Sequence, residues 1–280
     1  MILCVDIGNT HTVLGIFPEK SFQVNYIQRI DPKGTSFPSI LSTWRLRSLR
    51  EKTSDELGVE ISSLFSREGY CFEAFSKVII SSVVPEITRM YSHFVGKFFK
   101  KDALVISASV IPDMTIKVER PEAVGSDRLA NAYAARILYG APSIVVDFGT
   151  ATTFDVIGTS GSFEGGVIAP GILLSSQALS SRAALLPAIE LSSPVNVIGR
   201  NTIEAMQSGT FTGYVCLVEG LLRRIKDEMD FLGLSRREQE NLRVIATGGL
   251  APLISRATQD IEIVDRDLTL KGICLIGQRI

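Results

Sequence analysis

Two short polar segments combine the residue types that bind nucleotide phosphates. They are Asp6-Ile7-Gly8-Asn9-Thr10 and Asp147-Phe148-Gly149-Thr150-Ala151-Thr152-Thr153. In each, a glycine lets a phosphate approach backbone N–H groups, hydroxyl groups can donate hydrogen bonds, and a carboxylate can hold Mg²⁺. We expect Asp6 to hold that metal through its water shell.

The two segments also align with each other. The alignment pairs Asp6 with Asp147, Gly8 with Gly149 and Thr12 with Thr153. A single Asp-x-Gly is more often an ordinary hairpin turn. Because the pattern recurs, each time between two β-prone runs, it favours two related domains that each open with a strand, a polar turn and a second strand.

A third candidate is the segment Gly125-Ser126-Asp127-Arg128. The Asp127 carboxylate could accept the proton of an attacking hydroxyl, and the Arg128 guanidinium could bind an anion through two parallel hydrogen bonds. Alternatively, Ser126 or Asp127 caps the helix predicted at Leu129 to Leu138 and Arg128 is exposed. The two interpretations do not exclude each other.

Glycine-rich segments complete the candidate set. Thr247-Gly248-Gly249 follows an apolar run, and its side-chain-free backbone could receive a purine, although Gly-Gly is also an ordinary turn. Neither a P-loop motif nor a Gly-x-Gly-x-x-Gly after the first strand is present. The predicted nucleotide-binding residues are Asp6, Gly8, Asn9, Thr10, Gly149, Thr150, Thr152, Thr153, Thr247, Gly248 and Gly249.

Two further segments are more ambiguous. Gly165 to Gly171 is too glycine-rich for a regular element, so we expect a packed loop beside a site or a subunit contact. In Gly199-Arg200-Asn201-Thr202, Asn201 or Thr202 is an N-cap candidate for the following helix, and a substrate hydrogen bond from Thr202 is the alternative.

The elements that must position these residues alternate between strands and helices. Apolar runs predict strands, and helical spacing predicts helices that include Pro85 to Phe99 and Thr212 to Met229. The fold class is therefore α/β, with domains at 1–115 and 116–280. The segment from Pro18 to Thr43 has weak periodicity and is expected to be a long surface excursion.

Composition favours a folded protein with a small-molecule partner. The 280 residues are 45% hydrophobic, and 29 Lys and Arg nearly balance 30 Asp and Glu, which argues against a nucleic-acid surface. Without a signal-peptide core or a long apolar run, the sequence predicts a cytoplasmic protein with no membrane partner. The four dispersed cysteines form no zinc-binding pair and are expected to be buried, reduced thiols.

The order and spacing of these pieces resemble the type III pantothenate kinase family over nearly the whole chain. The resemblance includes Ser81-Ser82-Val83-Val84-Pro85 and Leu268-Thr269-Leu270-Lys271-Gly272. It implies two duplicated actin-like (ribonuclease H-like) domains with a nucleotide cleft between them, a homodimer, Mg²⁺ and ATP, and a monovalent cation, K⁺ or NH₄⁺. The implied reaction is the phosphorylation of pantothenate to 4′-phosphopantothenate, the first step of coenzyme A biosynthesis.

Carried over by position, the resemblance makes Asp127 the general base. Gly125, Ser126, Arg128 and Thr202 would bind substrate, Thr150 would contact ATP, and Asp147 would lie at the cation site. One departure is Val118, because the family usually has a substrate-contacting tyrosine seven residues before Gly125. The alternatives are a catalytically silent regulatory homologue of the same superfold and a sugar or acetate kinase.

Overall fold

The structure, a computed structural model, describes residues 1–19, 39–183, 185–231 and 240–280. The chain divides into two compact units. Unit 1 comprises Met1–Tyr139 and Leu268–Ile280, and unit 2 comprises Gly140–Asp267. Most of the predicted surface excursion, residues 20–38, lies outside the described residues.

Unit 1 contains a five-stranded mixed sheet in the order β3-β2-β1-β4-β5. The first three strands form an antiparallel meander, whereas β4 and β5 are parallel to β1. Strand β1 is apolar and almost wholly buried, as expected for a central strand covered on both faces. The strands are β1 Ile2–Ile7, β2 His11–Phe17, β3 Ser42–Arg47, β4 Lys77–Ser82 and β5 Leu104–Val105.

Helices cover both faces of this sheet. Helix α1 begins after Thr53, which forms a reciprocal capping box with Glu56, a motif that satisfies two otherwise unpaired backbone donors. Its inner side and that of α2 pack on an aromatic-rich core with β1 and β2. The bounds are α1 Ser54–Arg67, α2 Pro85–Phe94 continuing as a π-helical turn Val95–Phe99, and α3 Ser126–Leu138.

Unit 2 repeats the architecture, with a sheet in the order β10-β9-β6-β7-β8 and the same pattern of antiparallel and parallel pairs. The predicted duplication is therefore confirmed. The strands are β6 Ser143–Phe148, β7 Ala151–Ile157, β8 Phe163–Pro170, β9 Arg243–Thr247 and β10 Ile263–Val264. The helices are α4 Ile172–Arg182, α5 Thr202–Phe231 and α6 Ala251–Ile254.

The units divide at Tyr139 and Gly140 rather than at the expected boundary near residue 115. The reason is that α3 packs against the last helix, α7 (Leu268–Arg279), and both lie on the first sheet. Polar contacts secure this arrangement, including Thr269 Oγ1 to Asn131 Oδ1 at 2.8 Å and Lys77 Nζ to the Gly277 carbonyl at 2.9 Å. Asp127 and Asp6 therefore belong to one unit.

Two local expectations were wrong. The glycine-rich segment predicted as a loop forms most of β8, because backbone hydrogen bonds to β7 outweigh the low strand propensity of glycine. Of the four cysteines, Cys4 and Cys274 are buried but Cys71 and Cys216 are exposed. In the described part of the chain, no helix is both long and apolar enough to cross a membrane.

Candidate active site

The first polar segment forms the tight connection between β1 and β2. The Gly8 N–H donates to the His11 carbonyl at 3.0 Å, which closes the turn. Asn9 and Thr10 are exposed at its tip. Asp6, the penultimate residue of β1, is half-buried. The exposed backbone and side chains of Asn9 and Thr10 can therefore contact a ligand while β1 and β2 hold the turn in place.

The turn and the segment that contains Asp127 meet at the same end of the first sheet. Asp6 on β1 is the register partner of Ser81 on the parallel strand β4. Ser126 Oγ lies 3.0 Å from Ser81 Oγ, accepts from the Ser82 N–H at 2.7 Å and donates to the Ser82 carbonyl at 3.1 Å. This buried serine fastens the start of α3 to the carboxyl end of β4, one strand from Asp6.

The Asp127 carboxyl lies in the first turn of α3. Burial raises its pKa, and the backbone N–H and positive charge of Arg128 partly oppose that shift. Its Oδ1 accepts the Arg128 N–H at 2.8 Å. The N-cap position belongs to Gly125, which has no side chain to cap with, so neither Ser126 nor Asp127 is the N-cap considered above. Arg128 is half-buried.

The second polar segment connects β6 and β7 in unit 2. Here the Gly149 N–H donates to the Ala151 carbonyl at 3.1 Å, so the turn is one residue shorter than the first. The register pairs Ile7 with Thr12 in the first hairpin and Phe148 with Thr152 in the second. The structural counterpart of Thr12 is therefore Thr152, and the predicted pairing with Thr153 was wrong.

The three threonines of the second segment have different surroundings. Thr150 is exposed at the tip of the turn. Thr152 is buried, and its hydroxyl hydrogen-bonds the Tyr214 hydroxyl on α5. Thr153 is half-buried, and its Oγ1 lies 3.3 Å from Asp155 Oδ2. Thr150 is thus the most exposed of the three, whereas Thr152 supports the turn through its contact with α5.

Two glycines bring other segments against this second turn. The Gly171 N–H donates to the Thr150 carbonyl at 3.1 Å, and a Cβ at Gly171 would lie 2.6 Å from the Gly149 carbonyl oxygen. Gly248 has φ +91°, and a Cβ there would lie 2.6 Å from both Asp147 Oδ1 and the Phe148 carbonyl oxygen. Only glycine fits such positions without strain.

The surroundings of Asp147 suit a monovalent cation. Asp147 Oδ1 and the Phe148 carbonyl oxygen both pack against Gly248, each 2.6 Å from the position that a Cβ there would take. Thr247, the register partner of Asp147, is buried, and its hydroxyl has no hydrogen-bond partner among the described residues. Three oxygens at one edge of the sheet are the hard ligands that such a cation takes.

A site for Mg²⁺ made wholly of protein side chains is not found in the described ranges, where no three His, Cys, Asp or Glu groups cluster. The single carboxylate of Asp6 fits a different arrangement. Mg²⁺ that is bound with substrate phosphates usually keeps several waters and needs only one or two carboxylates. Asp6 therefore fits the water-mediated role expected for it.

The structure gives Asn201 and Thr202 distinct roles. Asn201 Oδ1 accepts the Glu204 N–H at 2.9 Å, so Asn201 is the N-cap of α5, as one of the two interpretations predicted. Thr202, the first residue of the helix, is exposed. Val118 is half-buried in the segment that precedes α3.

Sequence reasoning missed the residues that support the turns from behind. Ser48 and Tyr214 contact the two turns, yet neither belongs to a motif. Ser48 stands in an unremarkable polar stretch, and Tyr214 has the spacing of a helix core residue. The pairing of β3 with β2 brings Ser48 to the first turn, and the packing of α5 brings Tyr214 to Thr152.

Solved structures of other proteins resemble this chain over nearly its whole length. The protein from Campylobacter jejuni described as a Baf family transcriptional activator has 18% identity and a TM-score of 0.56 over 99% of this chain and 98% of its own. A Sinorhizobium meliloti protein assigned as a 2-dehydro-3-deoxygalactonokinase has 13% identity and a TM-score of 0.51, with 100% and 97% covered. The activator of 2-hydroxyisocaproyl-CoA dehydratase from Clostridium difficile, with bound ADPNP, has 12% identity and a TM-score of 0.50, with 99% and 94% covered.

At these identities the likeness shows the fold alone, which is the actin-like α/β fold. The family is shown by the sequence. The sequence model of the type III pantothenate kinase family matches residues 2–224. This range includes the first turn, the Asp127 segment, the second turn and Thr202. The chain belongs to the type III pantothenate kinase family.

Proposed function

We propose that the carboxyl end of β1 and β4 in unit 1 carries the chemistry of a pantothenate kinase, with Asp127 as the general base. Membership of the family makes the chain a phosphotransferase that uses ATP and Mg²⁺ to phosphorylate pantothenate in coenzyme A biosynthesis. The observation that supports the location is the docking of Ser126 on Ser81 and Ser82, one strand from Asp6.

The proposed reaction begins with the pantothenate hydroxyl beside Asp127. The carboxylate accepts the hydroxyl proton as the oxygen attacks the γ-phosphorus, and the bond to the bridging oxygen of ADP breaks. The Arg128 guanidinium binds the pantothenate carboxylate through paired hydrogen bonds, with Gly125 and Ser126 shaping the backbone around the substrate. Thr202 is proposed to add a substrate hydrogen bond.

Residues proposed to bind nucleotide occur in both units. In unit 1, Asn9 and Thr10 donate hydrogen bonds to phosphate oxygens, Gly8 lets the phosphate approach the backbone, and Asp6 holds the water shell of Mg²⁺. In unit 2, Gly149, Thr150, Thr152 and Thr153 form the second phosphate turn, and Thr247, Gly248 and Gly249 receive the adenosine moiety. When bound, the metal ion neutralises charge on the transferred phosphoryl group. Asp147 is proposed to hold K⁺ or NH₄⁺.

A homodimer through unit 2 is also proposed. Its support is a concentration of exposed apolar side chains on β8, α4, the segment that follows α4, and α5. Large exposed apolar patches on soluble proteins commonly mark interaction sites. The side chains are Ile168, Leu173, Leu174, Leu179, Leu185, Val195, Val197, Ile198, Ile203 and Leu217.

The position of the transferred phosphoryl group tests this proposal. Pantothenate offers hydroxyl groups and a carboxylate, so the ³¹P NMR spectrum of the product distinguishes a phosphate monoester at the 4′-hydroxyl from an acyl phosphate, which hydroxylamine would also trap. We expect only the 4′ monoester. Formation of an acyl phosphate would support acetate kinase chemistry instead, and the absence of any product would support a catalytically silent homologue.

A further inference from the structure

Ser48, the residue that follows β3, holds the first phosphate turn at two points. Its N–H donates to the Thr10 carbonyl at 3.1 Å, and its Oγ donates to the Gly8 carbonyl at 2.7 Å. The same hydroxyl lies 3.0 Å from Thr12 Oγ1. Ser48 therefore contacts the backbone on both sides of Asn9, the exposed residue at the tip.

The bond to the Gly8 carbonyl fixes the orientation of one peptide group. In a trans peptide the C=O and N–H bonds point in opposite directions. Because the Gly8 carbonyl points toward Ser48, the Asn9 N–H of the same peptide points away from it. A rotation of this peptide would remove the Asn9 N–H from that direction and replace it with a carbonyl oxygen, which repels phosphate.

The two hydrogen bonds of the Ser48 hydroxyl group have a defined direction. A serine hydroxyl has one proton, and here the Gly8 carbonyl accepts it. Thr12, whose hydroxyl is buried, must then donate to Ser48. Hydrogen bonds arranged in one direction polarise and strengthen one another.

The second turn shows that this hydroxyl is not a general requirement of the fold. Arg47 pairs with His11, and Pro170 pairs with Ala151, so Gly171 is the structural counterpart of Ser48. Gly171 makes the same backbone bond to its turn but has no side chain. The side-chain contact to the turn carbonyl is thus a feature that Ser48 adds to the first turn.

We infer that Ser48 is a positioning residue that keeps the Asn9 N–H directed toward the ATP phosphates, with Thr12 holding the Ser48 hydroxyl in place. This inference rests on the proposed nucleotide role of the first turn. It assigns to Ser48 no contact with ATP, pantothenate or metal.

The test measures the binding of a non-hydrolysable ATP analogue with Mg²⁺ to the full chain. We expect Ser48→Ala to raise its Kd about threefold to tenfold, the effect of losing one net hydrogen bond, and Thr12→Val to raise it in the same direction. Binding of pantothenate and the melting temperature should be little changed. Backbone order parameters of Asn9, measured without nucleotide, should fall in Ser48→Ala.

Ser66→Ala is the matched control, because its hydroxyl also donates to a backbone carbonyl, that of Ser62 at 2.8 Å, but on the exposed side of α1. An equal rise in Kd for Ser66→Ala, or an unchanged Kd for Ser48→Ala, would overturn the inference. An unchanged Kd for Thr12→Val would overturn the part given to Thr12. If the wild-type chain did not bind the analogue, the proposed function would fail together with the inference, whereas normal wild-type binding with an unaffected Ser48→Ala would defeat the inference alone.

Discussion

At the scale of single residues, Asp127 is subject to two opposing influences. Burial disfavours its charged form, while the Arg128 N–H and guanidinium favour it, and the net effect raises the pKa of the carboxyl. A base must be deprotonated to accept a proton, so activity should decline on acidification at a higher pH than an unperturbed aspartate, with a pKa of about 3.9, would give.

The variant Asp127→Asn keeps the size of the side chain and removes the proton acceptor. We expect kcat to fall by roughly 10²- to 10⁴-fold, nearer the lower figure because phosphoryl transfer has a loose transition state. The acid limb of the kcat/KM profile should disappear, while the binding of ATP stays nearly intact. A mutant that retains wild-type kcat, or the same acid limb, would show that Asp127 is not the base.

Arg128→Lys tests the substrate contact. Lysine keeps the charge but cannot form two parallel hydrogen bonds to a carboxylate. We predict a rise in the KM for pantothenate with a smaller change in that for ATP. The amide analogue of pantothenate is the control, since the wild type should use it less well than pantothenate and the mutant should discriminate less. If both compounds are affected equally, Arg128 supports the start of α3 instead.

At the scale of elements, the same strand-turn-strand hairpin is used twice with different supports. Ser48 supports the first turn with a side chain, whereas Gly171 and Gly248 let other backbone segments approach the second turn directly. The motifs predicted both turns because their polar and glycine residues interrupt apolar strands. Their supports were not predictable, since strand pairing brings Gly171 and Ser48 to the turns from distant parts of the sequence.

The same limit explains the domain division. The sequence predicted the helix α3. Its packing on a sheet, rather than its place in the chain, decides the unit to which it belongs. Helix α7 returns to the first sheet after the whole of unit 2. The sequence therefore identified Asp127 as a candidate residue but predicted that it and Asp6 lie in different domains.

Gly248→Ala probes the junction between β9 and the second turn. A Cβ at φ +91° is strained and would lie 2.6 Å from Asp147 Oδ1, so we expect a loss of stability of about 1–2 kcal/mol. Activation by K⁺ should also weaken, because the added methyl crowds the Asp147 carboxylate that is proposed to hold the cation. Gly140→Ala is the control, since Gly140 has the same φ of +91° but a Cβ there meets no atom within 4 Å. Equal K⁺ activation curves for Gly248→Ala and the wild type would argue against a cation beside Asp147.

At the scale of the whole molecule, the exposed apolar side chains of unit 2 predict self-association. Leu173→Glu introduces a charge at one of these positions, and its burial in an interface would be costly. In sedimentation velocity, the wild type should sediment as a dimer and this variant as a monomer. Val59→Glu, at an exposed position on α1 of unit 1, should remain dimeric. A monomeric wild type would contradict the proposed dimer.

The central claim concerns the whole enzyme: it is an active kinase whose acceptor is pantothenate. The most direct measurement is the initial rate of ADP release with Mg²⁺, ATP and K⁺ in the presence of pantothenate, a hexose, acetate or no acceptor, with product mass determined in parallel. We predict release only with pantothenate, matched mole for mole by 4′-phosphopantothenate. Faster release with a hexose or acetate, or no release above the rate without acceptor, would contradict the account.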